Sequence, residues 1–141
     1  MKLPITVQII ISIICLFGIT FMESCEKEYQ HPVPQVYEQD LTINLEMVYK
    51  LNTIGGWEYF TGGYNGIVIY RLSEEEFRAF DRACTNDISK RVEVEDPPIA
   101  KCEKCESSYL LLDGSVVSGK ANYPLKQYQV DLNYPYLTIK F

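Results

Sequence analysis

Histidine is almost absent from this chain, which contains a single one, His31, among its 141 residues. Catalysis by a Ser–His–Asp or Cys–His arrangement needs an imidazole base beside the nucleophile. His31 lies in a Pro-rich stretch far ahead of Cys84, so it is not expected to serve as that base. Hydrolysis by those routes is therefore excluded near the cysteines, and no other catalytic constellation is visible.

Positive charge is also scarce, because 13 lysines and arginines are outnumbered by 19 aspartates and glutamates, giving a net charge of −6. Proteins that bind nucleic acid neutralise its phosphates with basic side chains. A surface with an acidic balance repels both nucleic acid and anionic lipid headgroups. We therefore expect no nucleic-acid partner.

Long apolar runs are limited to one, from Leu3 to Phe21, which follows a basic start. This pattern is typical of a secretory signal. Ser24 before Cys25 resembles the cleavage box of bacterial lipoproteins, in which the signal is removed and the new N-terminal cysteine is lipidated. Residues 1–24 are thus predicted to be a lipoprotein signal peptide. The alternative is an uncleaved anchor, since about 20 apolar residues span a bilayer; in both cases the rest of the chain lies outside the cytoplasm.

The residues after Cys25 predict a tether and then one domain. Residues 26–28 (EKE) resemble the acidic export signal of some Gram-negative lipoproteins. The predicted location is therefore the Gram-negative cell envelope, with a membrane-anchored protein that is periplasmic or surface-exposed. Residues 25–39 contain prolines that favour extended backbone, which suits a tether. Residues 40–141 are long enough for a single domain.

The hydrophobic pattern of that domain has a period of two. From Leu41 to Leu51 every odd position is large and apolar or aromatic, which predicts one strand with a buried face. Many short strands at this spacing predict an all-β fold, a small antiparallel β-sandwich or barrel. The further strands are predicted at residues 57–60, 67–71, 91–95, 109–112, 115–118, 126–132 and 136–141.

One short helix is predicted at residues 73–76 (SEEE), where Ser73 can cap the first turn and Glu76 can return the bond. We expect about two turns. Carboxylates at a helix start favour the helix dipole and face water, so these glutamates are interpreted as structural.

The cysteine count narrows the chemistry of the domain. Of five cysteines, Cys15 lies in the predicted signal and Cys25 is the predicted lipidation site, which leaves Cys84, Cys102 and Cys105. One disulfide would leave an unpaired thiol in an oxidising compartment, which extracytoplasmic domains usually avoid. Three cysteines in two neighbouring loops therefore indicate a set of metal ligands, or the remains of one.

The residues around these cysteines resemble the Rieske [2Fe–2S] domains. That family has a Cys-x-His loop and a Cys-x-x-His loop, with two thiolates on one iron and two imidazoles on the other. This chain has Cys84-Thr85-Asn86 and then Cys102-Glu103-Lys104-Cys105. The continuation is similar to the family's aromatic residue, Gly turn and "SGPA…PL..Y.V" run, here SYLLLDG followed by SGKANYPLKQYQV at residues 118–130. The similarity extends over most of residues 40–141 and implies a Rieske-like fold with two ligand-bearing loops.

The resemblance also implies a candidate cofactor site. Cys84 and Cys102 match the two family cysteines, while Asn86 and Cys105 occupy the two histidine positions. An Asn amide oxygen is a poor donor to such an iron, and the neighbouring Asp87 carboxylate would be a better one. The implied metal ligands are thus Cys84, Cys102 and Cys105. The chain further departs from the family at Glu106, where Gly is frequent, and at position 103, where Glu replaces a frequent Pro.

Three states of this site remain open from the sequence. An altered [2Fe–2S] cluster could use Cys105 as a thiolate ligand. Zinc would accept three thiolates with a carboxylate or water. With no metal, Cys102 or Cys105 could form a disulfide with Cys84, or the thiols could stay free. The two function hypotheses are an envelope lipoprotein that transfers electrons to a protein redox partner, and a cluster-free structural or interaction module. The sequence favours an electron carrier or a non-enzymatic protein over an enzyme.

Overall fold

The computed structural model describes residue 4 and residues 30–141. Apart from residue 4, the predicted signal peptide, residues 1–24, therefore lies outside the described residues, and so does the predicted lipidation site Cys25. The packed body comprises His31–Phe141. Within the described part of the chain, no helix is long and apolar enough to span a bilayer.

The largest element is a six-stranded antiparallel sheet. Its strands are β1 (Leu41–Asn44), β2 (Trp57–Phe60), β3 (Ile67–Arg71), β4 (Phe77–Asp81), β11 (Gln127–Asn133) and β12 (Tyr136–Lys140). They lie in the order β1-β12-β11-β4-β3-β2. Strand β11 joins the two halves of the sheet, because it pairs with β12 along residues 129–133 and with β4 only at Gln127 and Tyr128.

Two smaller antiparallel sheets carry the cysteines. A hairpin pairs β5 (Ala83–Cys84) with β6 (Asp87–Arg91). A four-stranded sheet has the order β10-β9-β8-β7, formed by β7 (Glu93–Asp96), β8 (Ile99–Lys101), β9 (Ser108–Leu110) and β10 (Val116–Ser118). The described residues contain only two short 3₁₀ helices, Leu45–Met47 and Tyr49–Asn52, so the all-β prediction is confirmed.

The core is divided between the two faces of β3, a strand that is buried on both sides. Ile67 and Ile69 contribute to one apolar cluster, together with residues of β4, β11 and β12. Val68 and Tyr70 contribute to the other, which also contains the three cysteines and residues of β8 and β9. The alternation follows from the period of two, because successive side chains of a strand point to opposite faces.

The predicted single strand from Leu41 to Leu51 is wrong after Asn44, where β1 ends. The Asn44 side chain accepts the Glu46 N–H at 3.0 Å and caps the first 3₁₀ helix, a local bond that competes with extension of the strand. Met47 and Tyr49 are consequently 83% and 87% exposed, although the alternating pattern assigned both to the buried face.

The predicted helix at Ser73 is also wrong, since residues 73–75 form the bend that joins β3 to β4. The predicted capping bond exists, because Ser73 Oγ accepts the Glu76 N–H at 3.1 Å. The Glu76 carbonyl, however, accepts the N–H groups of Leu72 and Ser73, which closes a hairpin loop. Arg71 then pairs directly with Phe77, so the connection is too short for a helix.

The chain ahead of β1 packs onto the domain from His31. Val33 is 1% exposed, and its N–H donates to His31 Nδ1 at 3.1 Å. His31 Nε2 lies 3.0 Å from the Pro124 carbonyl oxygen, and Lys126 Nζ donates to the Pro34 carbonyl at 2.5 Å. Residues 31–34, which we call the strap, are thus part of the folded body, inside the stretch that the sequence predicts as tether.

Candidate metal centre

The three cysteines of the domain meet where the β5–β6 hairpin packs against the loop between β8 and β9. Cys84 ends β5, Cys102 directly follows β8, and Cys105 lies three residues further along that loop. Their sulfur atoms all lie within 4.8 Å of one another. The Sγ atoms of Cys84 and Cys105 are 3.4 Å apart. Cys84 and Cys102 are fully buried and Cys105 is 8% exposed.

The hairpin is positioned by Asp81, a fully buried carboxylate at the end of β4. Its Oδ1 accepts the N–H groups of Ala83 at 2.8 Å and Asn65 at 3.2 Å. Its Oδ2 accepts the Tyr64 N–H at 2.5 Å and the Tyr128 hydroxyl at 2.7 Å. Four donors satisfy this buried charge, which fixes the backbone immediately before Cys84.

The loop with the other two cysteines is a tight turn. The Cys102 N–H donates to the Ser107 carbonyl at 2.9 Å, and the Glu106 N–H donates to the Cys102 carbonyl at 2.8 Å. Glu106 has φ 60°, the only positive φ of a non-glycine residue in the described part of the chain. Left-handed backbone is favourable mainly for glycine, which accounts for the glycine that the family frequently has at this position.

Ser107 links the loop between β8 and β9, which we call the cysteine loop, to the SGKA run (residues 118–121). Its hydroxyl oxygen accepts the N–H groups of Lys120 at 3.0 Å and Ala121 at 2.9 Å, and the Cys105 thiol lies 3.2 Å away. Gly119 has φ 98°, and a Cβ on it would lie 2.4 Å from Ser107 Cα. A glycine is therefore required where the run crosses the cysteine loop.

A second polar group, Tyr109, lies against Cys84. Its hydroxyl oxygen accepts the Thr85 N–H at 3.1 Å, lies 3.0 Å from Thr85 Oγ1 and is 3.5 Å from the Cys84 sulfur. Thr85 Oγ1 donates to the Tyr123 carbonyl at 2.6 Å, so the Tyr109 hydroxyl donates to Thr85. Burial is the main reason that the pKa of Tyr109 is raised, so this hydroxyl remains protonated.

The surroundings of two thiols shift their pKa values in opposite directions. Burial raises the pKa of Cys102 to about 11. Burial also acts to raise the pKa of Cys105, but hydrogen bonds with the Ser107 hydroxyl and backbone, and then with the other two thiols, outweigh it and lower the pKa. Cys105 therefore deprotonates more readily than Cys102. Because metals bind the thiolate form, Cys105 is the more readily available ligand of the two.

The fourth implied cofactor residue, Asn86, differs from the cysteines in being exposed, in the turn that joins β5 to β6. Asp87 Oδ1 accepts the Ser89 hydroxyl at 2.7 Å and the Ser89 N–H at 3.2 Å, and these bonds lower the pKa of Asp87. Among the described histidines, cysteines and carboxylates, no fourth group joins the three sulfurs. His31 instead contacts the Pro124 carbonyl and Val33.

These residues fit a three-thiolate metal site but not a Rieske cluster. A Rieske cluster takes two imidazoles on one iron, and the single histidine contacts other groups. Three thiolates are soft ligands that suit zinc, Cu(I) and iron–sulfur chemistry. The Cys84 and Cys105 sulfurs are farther apart than the bond length of about 2.05 Å in a disulfide, and all three cysteines are free thiols in this structure.

Sequence reasoning identified the three cysteines but not the polar groups that support them. Thr85 and Ser107 carry no signal of their own in the sequence, since hydroxyl residues are frequent in loops. Tyr109 and Gly119 belong to the runs that resemble the Rieske family. That resemblance predicted their presence, but not that they contact Thr85 and Ser107.

Two solved structures resemble the fold of this chain. A chain of the complex of reduced oxygenase and oxidized ferredoxin in carbazole 1,9a-dioxygenase is 18% identical, with a TM-score of 0.46; the match covers 60% of this chain and 80% of that one. A protein described as the NADPH nitrite reductase small subunit is 8% identical, with a TM-score of 0.45; here the match covers 72% and 99%. No protein-family model and no curated protein sequence matches the chain.

Proposed function

We propose that this chain is an envelope lipoprotein whose β domain binds a metal through Cys84, Cys102 and Cys105. The observation that supports the metal site is the convergence of three buried sulfurs within 4.8 Å, from two separate segments of the chain. Buried thiols with no metal role do not need to converge from two loops. A metal there would join the β5–β6 hairpin to the β8–β9 loop. The domain then serves as a metal-stabilised structural or interaction module.

Electron transfer through an altered [2Fe–2S] site is the second candidate. Cys84 and Cys102, the positions that resemble the two family cysteines, lie close enough in space to bind one iron. In this case the partner would be a redox protein that accepts or supplies one electron. The missing imidazoles count against it, because a [2Fe–2S] cluster takes four protein ligands and only three converge among the described histidines, cysteines and carboxylates.

Restoring the family ligands separates the two candidates. The double variant Asn86→His, Cys105→His supplies two cysteines and two histidines at the resembling positions. Both proteins are reconstituted anaerobically with iron and sulfide, reduced, and compared by electron paramagnetic resonance. Electron transfer by the native site predicts a cluster signal in the unmodified protein. A Rieske-type signal in the variant alone favours the structural module, and absence of iron from both also counts against electron transfer.

The anchor is proposed from the sequence ahead of the domain. Only residues 26–30 separate Cys25 from the packed body, so a lipid on Cys25 would hold the domain close to the membrane. We expect Cys25→Ala to abolish incorporation of a labelled fatty acid and to leave the signal uncut. Equal labelling of the variant and the unmodified protein would show that Cys25 is not the lipidation site.

A further inference from the structure

We infer that the three-cysteine site holds one tetrahedral thiophilic ion, zinc, rather than a two-iron cluster. The inference rests on the metal site proposed above and specifies how many metal atoms it takes and of which kind. It is carried by the spacing of the three sulfurs, by the residues that enclose them and by the missing fourth protein ligand.

The spacing of the sulfurs matches a single ion. Thiolates bind zinc at about 2.3 Å, which places two sulfurs of one tetrahedral ion about 3.8 Å apart. All three sulfurs here lie within 4.8 Å of one another, and the Cys84–Cys105 pair is 3.4 Å apart. Movements of a few tenths of an ångström to about 1 Å would bring each pair to the distance that a single ion needs.

The same spacing does not fit two irons. In a Rieske arrangement the residues at positions 84 and 105 bind different irons, which bridging sulfides hold together. In this structure the sulfurs of those two residues are in contact at 3.4 Å, which is too close for them to bind two different irons. A two-iron cluster would therefore require the hairpin and the β8–β9 loop to move apart.

The surroundings oppose such a movement. Tyr109 and Ser107 are fully buried, and their hydroxyls hydrogen-bond to neighbours on both sides of the cysteines. Gly119 brings its backbone against Ser107 so closely that even a Cβ would not fit. Separating the hairpin from the β8–β9 loop would break the bonds between Tyr109 and Thr85. The Ser107 bonds and the Gly119 contact hold the β8–β9 loop against residues 119–121 and so oppose a movement of that loop. A single ion can enter with the loops in place.

The ligand set also favours zinc. Zinc has no geometric preference from its d electrons and accepts three protein ligands with water in the fourth position. The Irving–Williams order places zinc above iron for a given set of donors. Cys105, at 8% exposed, is the least buried of the three ligands, so the fourth position would face water on its side. A zinc ion would not change oxidation state, and its role would be to hold the two segments together.

The test is elemental analysis of the full-length protein as isolated, together with assay of acid-labile sulfide. We expect one zinc per chain and no labile sulfide. The control Cys25→Ser, which removes a cysteine outside the domain, should keep one zinc. Cys25→Ser combined with Cys105→Ser should lose at least tenfold in zinc affinity, with circular dichroism reporting whether the β fold persists.

A second measurement does not depend on the variants folding. Cobalt(II) titrated anaerobically into metal-free full-length protein should give thiolate charge-transfer absorption that saturates at one equivalent. Two irons and two sulfides per isolated chain would overturn the single-ion inference but leave the proposed metal site intact. Isolation without any metal, combined with no cobalt binding, would overturn both.

Discussion

Single residues hold the cysteine loop in the shape that brings its sulfurs together. Glu106 adopts a left-handed conformation, and Gly119 allows the SGKA run to lie against Ser107. Neither residue is a metal ligand. Both act on the backbone, so their effects are measurable in the free energy of unfolding without any metal.

Glu106→Gly is expected to stabilise the domain by about 1 kcal/mol, because a side chain in the left-handed region costs about 1–2 kcal/mol and glycine is free of most of that cost. Urea denaturation followed by circular dichroism measures the change. Glu103→Gly is the matched control, since Glu103 is an exposed glutamate of the same loop without a positive φ. It should lose stability by a few tenths to about 1 kcal/mol. Equal effects of the two variants would refute the conformational argument.

Gly119→Ala is expected to destabilise the domain by about 3 kcal/mol, through backbone strain and through overlap with Ser107. Gly55→Ala provides the control: Gly55 also has a left-handed φ, of 81°, but an added Cβ would meet nothing closer than the Tyr70 hydroxyl at 3.8 Å. It should cost only the strain, about 1–2 kcal/mol. The difference between the two variants measures the close approach, and no difference would mean that the run can move away.

At the scale of elements, the strap (residues 31–34) packs against the YPLK run (residues 123–126). His31 contacts the Pro124 carbonyl, and Lys126 donates to the Pro34 carbonyl. Val33, which lies between His31 and Pro34 in the sequence, is buried. The neighbouring Tyr123 carbonyl accepts the hydrogen bond of Thr85, next to Cys84. The strap is therefore connected to the metal centre through one short run of the chain.

Val33→Ala is expected to lower the free energy of unfolding by about 1.5 kcal/mol, the cost of removing two buried methyl-sized groups. Val117→Ala is the control, because Val117 is 56% exposed on β10 and should change stability by less than about 0.5 kcal/mol. Thermal or urea melts of both variants decide the question. If Val33→Ala is as mild as Val117→Ala, the strap does not belong to the folded body.

The strands that could be predicted are those whose sequences alternate and end in turn residues. Residues 57–60 and 67–71 were predicted with the observed bounds, because glycines delimit them. Strand β4, FRAFD, was missed because its charged residues interrupt the pattern; Arg78 donates to the Leu112 carbonyl and Asp81 is buried in its own network. Residues 45–51 alternate but do not pair, since the Asn44 cap redirects the chain. A local bond of this kind is not visible in hydrophobic periodicity.

At the scale of the whole molecule, the two apolar clusters have different roles. The cluster around Ile67 and Leu137 contains no cysteine, so one face of the six-stranded sheet is packed without any metal ligand. The other cluster includes Cys84, Cys102 and Cys105, and it joins the three sheets. The candidate metal site thus lies in the part of the core that joins the three sheets. A metal bound there would cross-link segments that otherwise meet only through side-chain packing and hydrogen bonds.

The sequence predicted which cysteines come together better than it predicted how they are arranged. Cysteine count and the Rieske resemblance singled out Cys84, Cys102 and Cys105, and the structure brings all three together. The sequence could not show that Asn86 is exposed, because its place in the turn between β5 and β6 follows from the pairing of those strands. The distances between the sulfurs distinguish a site for one metal atom from a site for two. They depend on the tertiary packing of Tyr109 and Ser107, which the sequence does not show.

X-ray absorption at the metal edge of the isolated full-length protein tests the central claim most directly, because it reports the atoms bound to the metal. A three-thiolate zinc site predicts three sulfur neighbours at about 2.3 Å, one oxygen neighbour at about 2.0–2.2 Å and no second metal nearby. The control Cys25→Ser should give the same spectrum. A spectrum with a second metal next to the first, or one with no sulfur neighbours at all, would contradict a single ion held by Cys84, Cys102 and Cys105.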